Sequence, residues 1–336
     1  MRHLAGAATG CPRTRAQTRA RARTQTRTKT QTQTRMLMPA QTWAPAQALT
    51  LMPVLTLMLA LMLALMLALG GCTAGKPVAF PPASTMDRLH RAGRITIGIK
   101  ADQPGLSFRN PATGRYEGFD IRMAEIVAAA LGLRPSQITY VETPSQTRES
   151  VLIRHRVDLV IASYSITPAR QREVGQAGPY YLTGQRLLVR EADKNVVRGP
   201  DDLVGSVVCS VTGSTSISFA RRKYGTALVE LPTYTDCVRR LLNGSVRAVL
   251  TDGAVLLGYA AQQPNKLEVV GTALSVERYG IGYPKGDLAL CQFLTDTIRT
   301  AEDDGAWAKA FRDTLGQAGA PAPETPAPDP CPGAQP

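Results

Sequence analysis

Arg170, at the end of Ser165-Ile166-Thr167-Pro168-Ala169-Arg170, offers a planar fork of N–H donors that can hold a carboxylate by two parallel hydrogen bonds. Thr212-Gly213-Ser214-Thr215-Ser216 follows an apolar run and precedes a helical stretch. Its backbone N–H groups and the Thr215 hydroxyl suit an anion as well. Asp252 supplies the opposite sign, an acceptor for a cation. These groups fall in two related settings, because RHRVDLVIASYSI and NGSVRAVLTDGAV share one plan: a helix end, a short apolar strand opening on a Val, then polar residues. Ligands of open α/β sheets bind beyond the carboxyl ends of strands, so Ser163 and Ser165 in the first copy and Asp252 in the second face a crevice. Two copies imply two lobes, with one wall from each. Covalent or metal chemistry has little to work with. The histidines are His3, His90 and His155, no Ser/His/Asp arrangement or Walker-type glycine loop appears, and no cysteine pair has metal-ligand spacing. No cofactor is expected.

The elements that must position these groups alternate short apolar runs with helical patterns, which argues for an α/β architecture with mainly parallel sheets. Ile95-Thr96-Ile97-Gly98-Ile99 reads as a strand ending at Lys100. Asp120 suits the N-cap of a helix whose apolar positions Ile121, Ala124, Val127, Ala128 and Leu131 recur at helical spacing up to Gly132. Further strands are expected at 157–162, 187–190, 206–211 and 248–250.

Charge is unevenly spread along the 336 residues. Nine of the 39 basic residues lie in 1–46 without an acid, and 47–71 carry no charge, so the rest of the chain holds only +4 of the formal +13. That removes the support for a nucleic-acid partner. Residues 1–71 read as a disordered Arg/Thr/Gln leader followed by an apolar signal segment, Leu49 to Leu69, ending in Leu69-Gly70-Gly71-Cys72. The last four resemble a bacterial lipobox, in which Cys72 takes a lipid that holds the protein to the membrane. The alternative is an uncleaved anchor, since the run is long enough to span a bilayer. Either way the globular part lies outside. Residues 72–85 form a lipidated tether and 318–336 a Pro-rich tail. Cys209, Cys237, Cys291 and Cys331 then enter an oxidising compartment, where four thiols allow three pairings. The pairs expected are Cys209 with Cys237, joining a strand to a helix start, and Cys291 with Cys331.

IGIKADQPGLSF, YEGFDIRMAEIVA, RVDLVIASYSITPARQREVGQAGPYYLTGQRLLV, VCSVTGSTS, AVLTD and ERYGIGYPKGD, in that order, resemble family 3 of the extracellular solute-binding proteins of polar amino-acid importers. Within it the likeness is to an actinobacterial glutamate-binding branch, and it covers about residues 94–315. The resemblance implies a two-lobed periplasmic-binding-protein-like fold with two hinge crossings, near 188–192 and 276–281. Residues 86–190 and 280–317 would form the first lobe and 191–279 the second.

By the same likeness Arg170 holds the α-carboxylate of an amino acid, helped by Gly213 and Thr215. Asp252 takes the α-ammonium with the Ser163 carbonyl and the Ser165 hydroxyl. Lys100 stands where glutamine-binding relatives carry an acid and suits an anionic side chain, with Arg148 as a second candidate. The expected ligand is therefore glutamate or aspartate, and the expected partners are ABC permease subunits. Two departures stand out: no aromatic residue lies near Gln103, where relatives often have one, and Arg247 replaces the Asp158 of the first copy. Two other roles share the fold. One is a ligand-sensing lipoprotein, and the other a cyclohexadienyl dehydratase, which needs a cleft group free to move protons.

Overall fold

The first strand, β1 (Ile95–Ile99), opens a lobe that the chain leaves once and re-enters. The computed structural model describes residues 79–321 and 324–332, with 58 and 62 besides, so the leader, the lipobox and Cys72 lie outside the described residues. All that follows belongs to the unit Gly75–Pro336. α1 (Thr85–Ala92) precedes β1; β2 (Asp102–Gln103), β3 (Ser107–Arg109) and β4 (Tyr116–Glu117) form a small antiparallel sheet after it. Next come α2 (Phe119–Ala130), β5 (Ile138–Glu142), α3 (Arg148–Ile153), β6 (Leu159–Val160), α4 (Pro168–Glu173) and β7 (Gly175–Thr183). The second lobe runs through β8 (Gln185–Arg190), β9 (Val208–Val211), α5 (Thr215–Tyr224), β10 (Leu228–Leu231), α6 (Tyr234–Leu242), β11 (Ala248–Asp252), α7 (Gly253–Gln262) and β12 (Leu267–Val270). β13 (Glu277–Tyr283), α8 (Leu288–Asp303) and α9 (Ala306–Asp313) complete the first.

Two five-stranded sheets result, ordered β5-β1-β6-β13-β7 and β10-β9-β11-β8-β12. In each, three parallel strands meet an antiparallel strand that belongs to a crossing: β13 beside β6, and β8 beside β11. The crossings thus lie at Gly184 and at 271–276, and the boundaries expected from sequence shift. Residues 185–190 belong to the second sheet, and 277–279 to the first. The first crossing is a single residue, Gly184, between Thr183 at the end of β7 and Gln185 at the start of β8, earlier than the apolar run at 187–190 suggested. Gly184 is required by close approach, because a Cβ there would lie 2.5 Å from the Ser275 carbonyl of the other crossing.

Phe119 at the head of α2 packs in a buried aromatic cluster with Tyr180, Tyr181, Trp307 and Phe311. Trp307 Nε1 donates to the Tyr180 carbonyl at 2.7 Å, so its one polar atom is paired. Asp120 does not cap α2, as the sequence suggested. The helix starts two residues earlier than that, behind Gly118, whose φ of 123° is open only to glycine, and the Asp120 carboxylate turns inward to accept from Ser163 N and Tyr180 Oη, both at 2.8 Å. Both expected disulfides are present, Cys209–Cys237 inside the second lobe and Cys291–Cys331 between α8 and the tail. The tail is held further by Asp329, which donates its N–H to Gly178 O and pairs with Arg278. Among the described residues no helix is long and apolar enough to cross a membrane, and no group of side chains could hold a metal ion.

Candidate functional site

The strand ends and helix starts of the first lobe bring two arginines onto one aromatic ring. Thr167 caps α4, accepting the Arg170 N–H at 3.2 Å, and Arg148 opens α3. Their guanidinium carbons lie 4.9 and 4.6 Å from the ring centre of fully buried Tyr164, a cation–π platform for both. Glu149 accepts the Tyr164 hydroxyl and pairs with Arg170 Nε at 3.2 Å. Arg170 Nη1 donates to Ser165 O at 2.7 Å. Arg148 is only 2% exposed and spends its donors on the carbonyls of Ser145, Ala162 and Ser163, which excludes a solvated surface role. Burial, then the neighbouring Arg170, pulls its pKa down to about 10. The Ser163 carbonyl, expected to await an ammonium, accepts from Arg148.

From the second lobe come Ser214, Thr215, Tyr234, Thr251, Asp252 and Val255. Ser214 caps α5 by accepting from Ile217 N, which leaves Thr215 as the first helical residue, its hydroxyl 2.9 Å from Glu277 Oε2. Asp252 ends β11. Its Oδ2 accepts the Tyr279 hydroxyl at 2.7 Å, while buried Oδ1 has no partner among the described atoms. Burial, followed by the charge of Glu277, pushes the Asp252 pKa up to about 7. An unsatisfied buried carboxylate oxygen costs free energy until a donor reaches it.

The walls meet directly. Arg148 Nη2 and Arg170 Nη2 both donate across the cleft to the Gly213 carbonyl, at 3.2 and 3.1 Å. Gly213 holds φ at 80°, and an added Cβ would lie 2.6 Å from Gln146 Cα. The cavity between the walls measures about 10 Å³, so the lobes stand closed. Lys100 lies just behind, its Nζ 2.8 Å from Ser145 Oγ, its pKa pulled down to about 7 by burial and then by Arg148. A larger hollow of about 490 Å³ opens beside Tyr116, Arg122 and Asp313, but it lacks convergent buried charges.

Of the residues singled out from sequence, Arg148, Ser163, Ser165, Arg170, Thr215 and Asp252 line this cavity; Gly213 and Lys100 each stand one hydrogen bond away. Ser145, Tyr234, Thr251 and Val255 were not foreseen, and Ser214 was foreseen only through the backbone of the Thr212–Ser216 run. Tyr234 carried a usable signal, since Thr233 and Asp236 frame it as the start of a helix.

The match that decides the family is to the model for bacterial extracellular solute-binding proteins, family 3, over residues 95–317. The chain belongs to that family. A glutamate-binding protein of Corynebacterium efficiens is 37% identical over 67% of this chain and 80% of its own length. A glutamine-binding protein of Geobacillus stearothermophilus is 33% identical over 64% of this chain and 81% of its own. Among solved structures, an ancestral amino-acid-binding protein described as a precursor of cyclohexadienyl dehydratase superposes with a TM-score of 0.63 at 26% identity, over 69% of this chain and 100% of that one. This solute-binding protein therefore falls with the Corynebacterium glutamate-binding branch, and its named relatives are binding proteins. The two-lobed fold is that of the periplasmic amino-acid-binding proteins.

Proposed function

We propose that the protein binds an acidic amino acid, glutamate or aspartate, outside the cytoplasmic membrane and delivers it to an ABC importer without catalysis or cofactor. The supporting observation is the charge of the cleft lining, where Arg148 and Arg170 face Asp252 and Lys100 stands one hydrogen bond behind. Asp120, Glu149 and Glu277 lie behind the walls, each already engaged by neighbouring donors. An α-ammonium would satisfy Asp252 Oδ1, and the α-carboxylate would take the Nη2 donors that now meet on Gly213 O. The side-chain carboxylate would lie toward Ser145 and Lys100. A ligand with a neutral side chain would leave Lys100 to shed its proton, whereas a side-chain carboxylate would pair with the charged form. Lipidation of Cys72 would tether the protein at the membrane. Calorimetric titration of the purified protein with each of the twenty amino acids tests the reading: glutamate or aspartate should bind most tightly, and a preference for glutamine or for a basic amino acid would overturn the side-chain assignment.

A further inference from the structure

Asp102 stands at the lip of the first lobe, just after β1, which lies two strands from crossing strand β13. Its carboxylate reaches the other lobe, where Oδ2 accepts the backbone N–H of Tyr234 at 2.8 Å. Tyr234 opens α6, which follows β10, the edge strand farthest from crossing strand β8. The contact thus closes the mouth of the cleft, away from the hinge. Thr233 caps the same helix by accepting from Asp236 N. The Tyr234 N–H is then one of the orphan donors at the positive helix end, and an anion is the acceptor best matched to it. Two neighbours tighten the lip. Tyr259 on α7 donates its hydroxyl to the Asp102 carbonyl, and a Cβ on Gly258 would overlap the carbonyl of Pro104. Tyr234 also faces inward as the one aromatic residue in the described lining, its hydroxyl 2.6 Å from Thr251 Oγ1.

We infer that Asp102 is a positioning residue that latches the lobes in the closed arrangement by capping α6, and so seats Tyr234 as the aromatic wall of the cleft. The inference rests on reading the cleft as an amino-acid site that closes on its ligand. Asp102 lines no part of the cavity and grips backbone. Its main effect is therefore on the fraction of protein that is closed, and so on the dissociation rate, while its charge also favours the protonated form of Lys100.

The experiment titrates glutamate and glutamine into wild type, Asp102→Ala, Asp102→Asn and Gly258→Ala, with dissociation followed by stopped flow. Asp102→Ala should weaken glutamine by about 10-fold and glutamate by at least as much, since the Asp102 charge also favours protonated Lys100, with the unfolding temperature of the ligand-free protein kept. Asp102→Asn keeps an acceptor and should lose only about 3-fold. Gly258→Ala should weaken both ligands while the ligand-free protein is as stable or more so, because alanine favours a helix over glycine. Unweakened glutamine binding in Asp102→Ala, or a changed glutamate-to-glutamine ratio in Gly258→Ala, would overturn the latch. Unchanged affinities with a lowered unfolding temperature would reduce it to a structural cap. If wild type binds neither probe, the amino-acid reading fails separately; a larger radius of gyration of ligand-free Asp102→Ala in solution scattering still supports the latch, and equal radii remove it.

Discussion

Tyr279, on the crossing strand of the first sheet, donates its hydroxyl at 2.7 Å to Asp252, the last residue of a strand in the second. The hinge thereby holds one oxygen of the cleft carboxylate and leaves the other for whatever enters. Glu277, two residues earlier on the same strand, accepts from Gln185 of the other crossing and from Thr215 of the cleft wall. Both ends of the polar site are therefore tied to the strands about which the lobes would turn.

The pH dependence of binding follows from Asp252 and Lys100. The Asp252 pKa is raised from 3.8 to about 7, so the neutral form favours the folded ligand-free protein. The stability it contributes is full below about 4 and is lost as pH rises through about 7. Lys100 is lowered from 10.5 to about 7, so its neutral form is favoured too, and stability from this group rises between about 7 and 10.5. A ligand ammonium needs Asp252 ionised, and a ligand side-chain carboxylate needs Lys100 charged. Glutamate affinity should accordingly peak near pH 7 and fall on both sides, while glutamine affinity should lack the alkaline fall. Titrations from pH 5.5 to 9 check this, and a flat glutamate profile would separate one or both groups from the ligand.

Arg170→Ala should weaken every amino-acid ligand by about 2 to 5 kcal/mol, because a buried carboxylate would lose its charged partner. Arg170→Lys should recover little. A lysine cannot serve Ser165 O, Glu149 and a ligand from one planar fork, nor stack as a flat cation on Tyr164. Calorimetry on both variants decides the point, and near-wild-type affinity in Arg170→Lys would count against bidentate recognition.

Arg170, Asp252 and Thr215 were legible in the sequence because each sits at a strand end or helix start whose type the local pattern fixes. The two disulfides were legible because the compartment reading left few thiols to pair. Tyr234 was not, since its place in the cleft depends on how the second lobe meets the first, a long-range relation with no local period. Arg148 was read ambiguously for a related reason. An arginine near a helix start usually faces water, and only the carbonyls of Ala162 and Ser163, from a neighbouring strand end, make burial tolerable. Asp120 misled because an acid before an apolar helix commonly caps it, whereas here the backbone turn at Gly118 begins the helix earlier.

The two disulfides should stabilise different things. Each closes a loop of a few tens of residues, with separations of 28 and 40, and loop entropy assigns each about 3 to 4 kcal/mol. Cys209–Cys237 ties β9 to α6, the helix that carries Tyr234, so the double serine variant should lower both the unfolding temperature and the ligand affinity. Cys291–Cys331 ties the tail to α8, remote from the cleft. Its double serine variant should lower the unfolding temperature and expose the 318–332 segment to protease, with ligand affinity unchanged. Thermal unfolding, limited proteolysis and titration of the two variants separate these effects.

Side-chain selectivity should reside in Lys100. The residue is buried, directly follows β1, and donates to Ser145, which borders the cavity. Its depressed pKa shows that the ligand-free site holds this charge at a cost, with burial as the first cause and two nearby arginines adding to it. A ligand carboxylate beside Ser145 would relieve that cost and a ligand amide would not, so the difference between glutamate and glutamine is concentrated at this one ammonium. Lys100→Met keeps most of the stem volume and removes the charge. It should cut glutamate affinity on the order of 100-fold while changing glutamine affinity by less than about 3-fold, a difference in line with the loss of one buried charge pair. Because Met removes a buried charge that burial and Arg148 disfavour, ligand-free stability should hold or rise, which distinguishes a selectivity residue from a structural one. Equal weakening of the two ligands would instead mean that Lys100 shapes the cleft as a whole, and the distal carboxylate would then have to be reassigned to Arg148.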